Sequence, residues 1–306
     1  MPRPKLIIWT CMRSYSSLVS AMLGQHSKLY TVPEINPFVR HTLDENLATF
    51  KLIRPRSLDG LYRLIAELEF GSQTYHAVAD AHDWCEARRH WSPATLMEYV
   101  SEKVAPQIVV EKSPSNVVVK GALDIALQYC PDAYYLHLYR NPVATSASIA
   151  KITGYDPNSS RPRLLRKDPE EAWYDANKGI MAISSKVAPG KFMSVRGEDI
   201  LRDPDAFLTQ ICDWMGLKTT DEDLEAMRHP ERSPYSCFGP TNAPFGADPN
   251  FLENPHFKQR PIPDIALDTP LSWEGSNRRL RDKTVELSVQ LGYGAPARQK
   301  NPAPAA

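Results

Sequence analysis

Glycine is scarce in this sequence, and the nucleotide-binding loops that depend on glycine are missing. The 306 residues include 14 glycines and 27 prolines, which reverses the usual ratio. No glycine precedes Gly24, so no G-x-x-x-x-G-K-[ST] loop follows the first apolar run, and no G-x-G-x-x-G follows any predicted strand. H-E-x-x-H and G-x-S-x-G motifs are also absent. These absences remove the usual support for metalloproteases, α/β-hydrolases and dinucleotide-dependent oxidoreductases.

Cysteine and net charge are equally limited. The five cysteines are scattered and form no C-x-x-C pair, so we expect buried free thiols and neither a disulfide framework nor a zinc ribbon. The 36 Lys and Arg residues balance 36 Asp and Glu residues, which gives no electrostatic reason to expect nucleic acid or an anionic membrane as a partner. The apolar run 6–9 is too short for a secretory signal or a membrane span. We therefore expect a cytoplasmic globular protein.

Short apolar runs alternate with helical patterns along the chain. Such alternation is typical of an α/β fold, in which a parallel sheet has helices on both faces. Ligands of such sheets bind beyond the carboxyl ends of the strands. We expect a single domain over residues 1–294 and a disordered tail over residues 295–306. The predicted strands are 5–10, 28–32, 107–110 and 134–139, and the predicted helices are 16–25, 142–151, 169–187 and 203–216.

The loop between the first predicted strand and helix is a candidate anion site. A helix N-terminus presents unpaired backbone N–H groups and the positive end of the helix dipole. Arg13 adds a guanidinium that suits bidentate contact with an oxyanion, and hydroxyl donors follow at Ser14, Ser16 and Ser17. The alternative interpretation is an ordinary strand-to-helix turn capped by a serine.

Arg140 is a second candidate anion ligand, at the end of another predicted strand. Asn141 is suited to cap the following helix, with Pro142 in its first turn. Ser148 lies on the same predicted helical face as Asn141, so Arg140 and Ser148 could clamp a phosphate. The alternative is an arginine in a surface ion pair. Two anion sites on one sheet would suit a ligand with two separated phosphates.

Lys112 and Glu34 follow two further predicted strands. Lys112 precedes Pro114, which favours an extended turn, and it either points its charge at the same crevice or pairs with Glu111 at the surface. Glu34 occupies the equivalent place on its own strand. A carboxylate beside a hydroxyl acceptor can act as a general base, so Glu34 is the candidate base.

In order and spacing, these residues resemble the motifs of sulfotransferases that use 3′-phosphoadenosine 5′-phosphosulfate (PAPS), in particular bacterial stand-alone members and the tyrosylprotein branch. Residues 12–18 are similar to the family's 5′-phosphosulfate loop, and residues 110–114 to its Glu-Lys-Ser/Thr-Pro segment. Residues 140–142 with Ser148 match its 3′-phosphate motif. Further similar runs lie at 197–204, 215–217 and 291–293, so the resemblance covers residues 5–294.

The resemblance implies a P-loop-like fold and transfer of a sulfuryl group from PAPS to an acceptor hydroxyl, or less favourably an amine. It implies that Arg13 and Lys112 stabilise charge during transfer and that Glu34 removes the acceptor's proton. No metal is required by this scheme. The basic run 277–281 would add a late 3′-phosphate contact, unless it is only a solvated helix face. The implied donor ligands are Arg13, Ser14, Tyr15, Ser16, Ser17, Arg140, Ser148 and Arg279.

Two positions depart from the family pattern. Tyr15 replaces the loop glycine, so a positive φ at this position would strain the backbone or reshape the loop. Gly197 replaces the tyrosine before Glu-Asp, which removes an expected adenine contact. Tyr15 itself, or a covering segment, could supply the replacement aromatic ring.

Two other functions stay open at this point. A P-loop-like small-molecule kinase would need a P-loop lysine followed by Ser or Thr and a strand-end Asp for magnesium, and the sequence has neither. A non-catalytic nucleotide-binding module would follow if Tyr15 and Gly197 mark a decayed site. The expected acceptor is a small-molecule or carrier-bound alcohol, enclosed by residues 151–168 and by the proline-rich segment 230–270.

Overall fold

Five parallel strands form one sheet in the computed structural model, which describes residues 3–156, 167–259, 261–273 and 278–294. The strand order is β2-β3-β1-β4-β5, so β1 lies in the centre. All six residues of β1 are buried, which requires cover on both faces of the sheet. The predicted α/β parallel sheet is confirmed. Its strands are β1 (Lys5–Thr10), β2 (Leu29–Thr31), β3 (Ile108–Glu111), β4 (Tyr134–Tyr139) and β5 (Phe192–Arg196).

Helices occupy most of the intervals between the strands, and the helix after β4 begins at its predicted cap. Asn141 caps its helix by accepting hydrogen bonds from the backbone N–H groups of Val143 at 3.0 Å and Ala144 at 3.3 Å. The described helices are α1 (Ser16–Leu23), α2 (Leu43–Ile53), α3 (Asp59–Phe70), α4 (Tyr75–Glu86), α5 (Pro93–Lys103), α6 (Ser115–Val118), α7 (Ala122–Tyr129), α8 (Pro142–Thr153), α9 (Pro169–Ile183), α10 (Gly197–Arg202), α11 (Pro204–Trp214), α12 (Asp221–Met227), α13 (Pro249–Glu253) and α14 (Asp282–Gln290).

The hydrophobic core follows from the apolar face of α1. Val19, Met22 and Leu23 are fully buried and share one cluster with Leu6 and Ile8 of β1. Because these side chains recur with helical spacing, they hold α1 against the sheet beside β1, β2 and β3. The N-terminus of α1 therefore lies at the carboxyl edge of the central strand.

The fifth strand was not predicted from the sequence. β5 pairs with β4 in parallel register, with Tyr135 opposite Phe192 and Leu138 opposite Val195. Val195 is the only buried residue of β5, because β5 lies at the edge of the sheet. An edge strand with so few buried side chains lacks the apolar run that marks the interior strands.

The described residues divide into two compact units, one drawn from 1–140 and 179–262 and the other from 141–178 and 263–294. The sheet belongs to the first unit. In the second, Val143, Leu271 and Leu280 form a small core. The predicted single domain over residues 1–294 stays a prediction, and the predicted tail lies outside the described residues. Among the described helices, none combines the length and apolar character needed to cross a bilayer.

The described structure places four of the five cysteines in the interior. Cys11, Cys85, Cys130 and Cys212 are buried, as expected for free thiols, and burial raises the pKa of the Cys130 thiol to about 12. Cys237 is exposed, so the prediction of a buried thiol is wrong there. This cysteine lies in an irregular part of the proline-rich segment, where no apolar pattern indicates which side chains face inward.

Candidate active site

The loop between β1 and α1 has the backbone of an anion-binding turn. Arg13 and Tyr15 both have positive φ, at 67° and 66°. Within the described part of the chain no side chain caps α1, and its first turn contains no acidic residue, so the alternative of a serine-capped turn is wrong. Ser14 is fully buried, and its hydroxyl has no hydrogen-bond partner among the described residues. An uncapped helix N-terminus beside an unsatisfied hydroxyl is suited to an oxyanion.

The two departures from the family pattern lie in contact with each other. Tyr15 has the positive φ that the loop requires, and a side-chain carbon placed on Gly197 would lie 2.8 Å from Cδ2 of its ring. The same added carbon would lie 3.2 Å from the Ser14 carbonyl oxygen. The Tyr15 ring thus fills the space beside position 197, which explains why that position holds glycine.

Arg140 lies at the same edge of the sheet, directly after β4. Its Nη1 donates to the Arg13 carbonyl oxygen at 2.9 Å, and its guanidinium lies 4.2 Å from the centroid of the Tyr15 ring. These contacts tie the end of β4 to the anion loop. Arg140 is partly buried, and its contacts with the loop favour the predicted anion-site location.

Lys112, Ser17 and Glu34 form one hydrogen-bonded cluster. The Lys112 Nζ donates to Ser17 Oγ at 2.9 Å and to Glu34 Oε1 at 2.5 Å. The Lys112 side chain is 3% exposed, against 27% for Glu34. The alternative of a surface lysine paired with Glu111 is therefore wrong. Instead, a buried ammonium links the anion loop to the candidate base.

Hydrogen bonds to the backbone of Glu34, as well as the one to its carboxylate, hold this residue in place. Its N–H donates to the Gly246 carbonyl oxygen at 2.6 Å, and Asn36 Nδ2 donates to its carbonyl oxygen at 3.3 Å. A side chain on Gly60 could not be accommodated, because its first carbon would lie 2.3 Å from that same carbonyl oxygen. Close packing on both sides fixes the backbone from which the carboxylate projects.

Glu111, next to the cluster, is engaged in a separate buried network. Its carboxylate accepts hydrogen bonds from Ser113 Oγ at 2.5 Å and Asn116 Nδ2 at 2.9 Å. Burial raises the pKa of Glu111 from 4.5 to about 8, against the opposing hydrogen bonds and the Lys112 charge. Ser113 Oγ also accepts from the Asn36 N–H at 2.9 Å, so this network braces the chain on both sides of the site.

A short segment, residues 245–249, crosses the cluster. Asp248 forms an ion pair with Arg13, and its N–H donates to Ser17 Oγ at 3.1 Å. The segment is anchored at its other end, where the buried Arg63 donates to the Phe245 carbonyl oxygen at 3.0 Å. Sequence reasoning missed Asp248, although an Asp before Pro249 marks a helix cap, which the structure confirms through its bond to the Asn250 N–H at 3.0 Å.

Ser148 and Arg279 belong to the second unit, and their predicted contacts with the donor stay predictions. Ser148 lines a cavity of about 510 Å³ with Lys151, Tyr155 and Trp273. Arg279 is exposed in the irregular stretch before α14, so the alternative of a helix face is wrong for it. Its neighbour Arg281 pairs with Asp168 at 2.8 Å and with two other acidic residues of the α9 N-terminus.

Part of the predicted acceptor wall is not covered by the structure. Arg161, Arg163 and Arg166 of the segment 151–168 lie outside the described residues, and so does Asn277 of the basic run 277–281. Lys167 is described and pairs with Asp175 at 2.9 Å. Among the residues that the structure covers, no group of three or more His, Cys, Asp or Glu side chains is arranged to hold a metal ion.

The site joins an anion loop at a helix N-terminus to a lysine and a carboxylate that follow neighbouring strands. This combination defines a P-loop-like α/β protein. The chain belongs to the sulfotransferase family, because the sequence model of that family matches residues 4–221. A search of curated protein sequences finds no significant match. The resemblance stated from the motifs is confirmed for the family, whereas similarity to the tyrosylprotein branch stays a prediction.

Two solved structures are similar to this chain over almost its whole length. The sulfotransferase domain from the curacin biosynthetic pathway has a TM-score of 0.76 and 20% identity, covering 96% of this chain and 99% of that chain. The sulfotransferase domain from the Synechococcus PCC 7002 olefin synthase has a TM-score of 0.73 and 24% identity, covering 96% of both chains. These similarities confirm the P-loop-like α/β fold.

Proposed function

We propose that this protein transfers a sulfuryl group from PAPS to a hydroxyl group of a small-molecule or carrier-bound acceptor. The observation that carries the proposal is the position of Lys112, which donates to both Ser17 and Glu34. These three residues come from different parts of the chain and match three separate motifs of the family. Family membership favours this reaction over the small-molecule kinase.

The residues of the loop suit the donor's 5′ end. The N–H groups at the start of α1, the Arg13 guanidinium and the unsatisfied Ser14 hydroxyl are all donors, as an anion requires. Tyr15, Ser16 and Ser17 complete the loop in this proposal. Arg140 and Ser148 would hold the 3′-phosphate, with Arg279 as a further ligand. When bound, PAPS supplies a sulfuryl group whose sulfur bonds the acceptor oxygen as its bond to the phosphate oxygen breaks.

The residues of the chain remove one proton from the acceptor and stabilise the negative charge that develops during transfer. Glu34 accepts the proton of the acceptor hydroxyl, because its carboxylate is bound to Lys112 at the site and is partly exposed. Lys112 and Arg13 stabilise negative charge on the transferring and leaving oxygens. Group transfers of this kind depend on alignment and electrostatic stabilisation more than on covalent catalysis.

The acceptor class is drawn from the neighbours and from the site. The two similar structures are domains of a biosynthetic pathway and of a synthase, which favours a biosynthetic alcohol, free or attached to a carrier. The non-catalytic alternative rests on Tyr15 and Gly197. Their mutual contact favours a repacked site over a decayed one, because the loop keeps its positive φ and its arginines.

The donor half of the proposal is tested by thermal unfolding with 3′-phosphoadenosine 5′-phosphate (PAP), using AMP as the control. A ligand at ~100 times its dissociation constant stabilises a protein by about 2.7 kcal/mol, which gives a clear shift in melting temperature. We expect a shift with PAP, little with AMP, and loss of the shift in Arg140→Ala. No shift with either nucleotide would exclude the proposed donor site and, with it, transfer from PAPS.

The catalytic half is tested by release of PAP from PAPS with a panel of alcohols. Glu34→Gln should keep the PAP shift and lose acceptor-dependent release, because it removes the base and leaves the anion loop intact. Full activity in Glu34→Gln would exclude Glu34 as the base. Glu231→Gln, a carboxylate outside the cluster, is the matched control.

A further inference from the structure

A cavity lies beside Glu34, and none of the roles proposed above uses it. Its volume is about 430 Å³, enough for a small organic group. One wall is the turn between α2 and α3, which carries Arg54, Arg56 and Ser57. The other wall is the 245–249 segment, with Phe245 and Pro249. The cavity therefore adjoins the proposed base and is bounded by the segment that crosses the site.

The charge lining this cavity is predominantly positive. Arg54 and Arg56 are its cations, and Glu34, already bound to Lys112, is its one anion. The Arg54 guanidinium is exposed and makes no hydrogen bond or ion pair with the described residues. Among the described residues, Arg56 donates to the Thr241 carbonyl oxygen at 3.4 Å and forms a long ion pair with Asp59 at 3.9 Å, and its side chain stays exposed. Both guanidinium groups are therefore available to an added anion.

The arginine turn is fixed relative to the base. Asn36 Nδ2 donates to the Ser57 carbonyl oxygen at 2.7 Å and to the Glu34 carbonyl oxygen at 3.3 Å. Pro55 separates the two arginines and restricts the backbone between them, and the Ser57 N–H donates to the Arg54 carbonyl oxygen at 2.8 Å. A single amide thus connects the cationic turn to the segment that carries the carboxylate.

The remaining lining is apolar. The cavity is also lined by the apolar residues Phe245, Ala247, Pro249 and Pro55. The cavity lining therefore combines two guanidinium groups, an apolar surface and the carboxylate of Glu34. An alcohol with an anionic group at a distance from its hydroxyl matches this combination.

We propose that Arg54 and Arg56 bind an anionic group of the acceptor, a carboxylate or a phosphate. The acceptor is then an alcohol that bears an anion separated from the hydroxyl by an apolar segment. The inference rests on the proposed function for the identity of the reacting hydroxyl. The two arginines are specificity-determining residues, because they contact the acceptor away from the reacting atoms. A free hydroxy acid supplies a carboxylate, and a carrier-type arm supplies a phosphate.

The test is calorimetric titration of defined probes, with and without PAP. The probes are 6-hydroxyhexanoate, its neutral primary amide, the 6-hydroxyhexanoyl thioester of phosphopantetheine and the same thioester of pantetheine. We expect one anionic probe to bind about tenfold more tightly than its neutral counterpart, and Arg54→Gln/Arg56→Gln to remove the difference. A preference for the carboxylate identifies a free acid, whereas a preference for the phosphate identifies a carrier-type arm.

A charge-matched control is Lys28→Gln/Arg232→Gln, which removes two exposed cations that do not line the cavity. The control should keep the anion preference, and Arg54→Lys/Arg56→Lys should keep part of it. Equal affinity for charged and neutral probes in the wild type, or a preference that survives the Gln pair, would overturn the inference.

Failure of the underlying function gives a different result. If the protein is not a sulfotransferase, PAPS releases no PAP with any alcohol in the wild type, whatever the thermal shifts and titrations show. If only the acceptor inference fails, the wild type and Arg54→Gln/Arg56→Gln both keep the PAP shift and acceptor-dependent release with unchanged KM for anionic alcohols.

Discussion

The contact between Tyr15 and Gly197 predicts that the two positions are energetically coupled. In Gly197→Ala the new carbon meets Cδ2 of Tyr15 at 2.8 Å and the Ser14 carbonyl oxygen at 3.2 Å. The ring is held by the Arg140 guanidinium at 4.2 Å, so it cannot move without losing that contact. Overpacking of this kind costs about 1–3 kcal/mol, and we expect the free energy of unfolding to fall by about 2 kcal/mol.

Removing the Tyr15 ring should change the energetic cost of Gly197→Ala. Tyr15→Gly relieves a left-handed conformation that costs a non-glycine residue about 1–2 kcal/mol. It also loses a cation–π contact of about 0.5–1 kcal/mol and some apolar packing. These effects oppose each other, so Tyr15→Gly alone should change the free energy of unfolding by less than about 1 kcal/mol. When Tyr15 is already Gly, the added Gly197→Ala substitution should lower the free energy of unfolding only slightly.

The assay is urea unfolding of the four proteins in the cycle, and the expected coupling energy is about 1–2 kcal/mol. Gly179→Ala is the control, since its added carbon would meet only Leu123 Cδ1 at an ordinary 3.5 Å. That substitution, in a helix, should be neutral or stabilising by about 0.5–1 kcal/mol. Additivity of the two substitutions within about 0.5 kcal/mol would refute the reasoning.

Three further predictions concern the charged groups of the site. Lys112→Met should lower sulfuryl transfer by about 10²–10³-fold, because it removes a buried donor to the transferring group; near wild-type turnover would contradict this role. Asp248→Asn should tighten PAP binding about tenfold by titration, because the carboxylate on Arg13 competes with the donor's anion; Asp205→Asn is the control, and unchanged affinity would argue against competition. Glu111→Gln should flatten the pH dependence of the melting temperature. With its pKa raised from 4.5 to about 8, Glu111 contributes stability that is present below pH 4.5 and lost as pH rises through 8, so the wild type should melt progressively lower over that window and the variant should not.

The main strands and helices could be predicted from the sequence, because the patterns that indicate them are local. The apolar run of β1, the helical face of α1 and the Asn141 cap depend on neighbouring residues, and each was found at the expected place. The edge strand β5 was missed, because an edge strand needs few buried side chains. Cys237 was misassigned for a related reason, since an irregular segment has no periodicity from which burial could be predicted.

The sequence predicted which residues belong to the candidate site, but not which of them contact one another. Ser17, Lys112 and Glu34 were identified because each follows a strand, and the carboxyl ends of parallel strands meet at one edge. The pairing of Lys112 with Glu34 instead of Glu111 depends on strand order. β3 lies between β2 and β1, so Lys112 stands between Glu34 and Ser17, while Glu111 turns into the buried network with Asn116.

The sequence by itself therefore determined the α/β class, the anion loop and the residue types that chemistry at the strand ends requires. Only the tertiary structure decided which of those residues meet. Asp248 reaches Arg13 across 235 positions of the chain, and Tyr15 meets Gly197 through the packing of the first unit. Such contacts arise when separate elements are brought together by burial of apolar surface, and no local pattern in the chain records them.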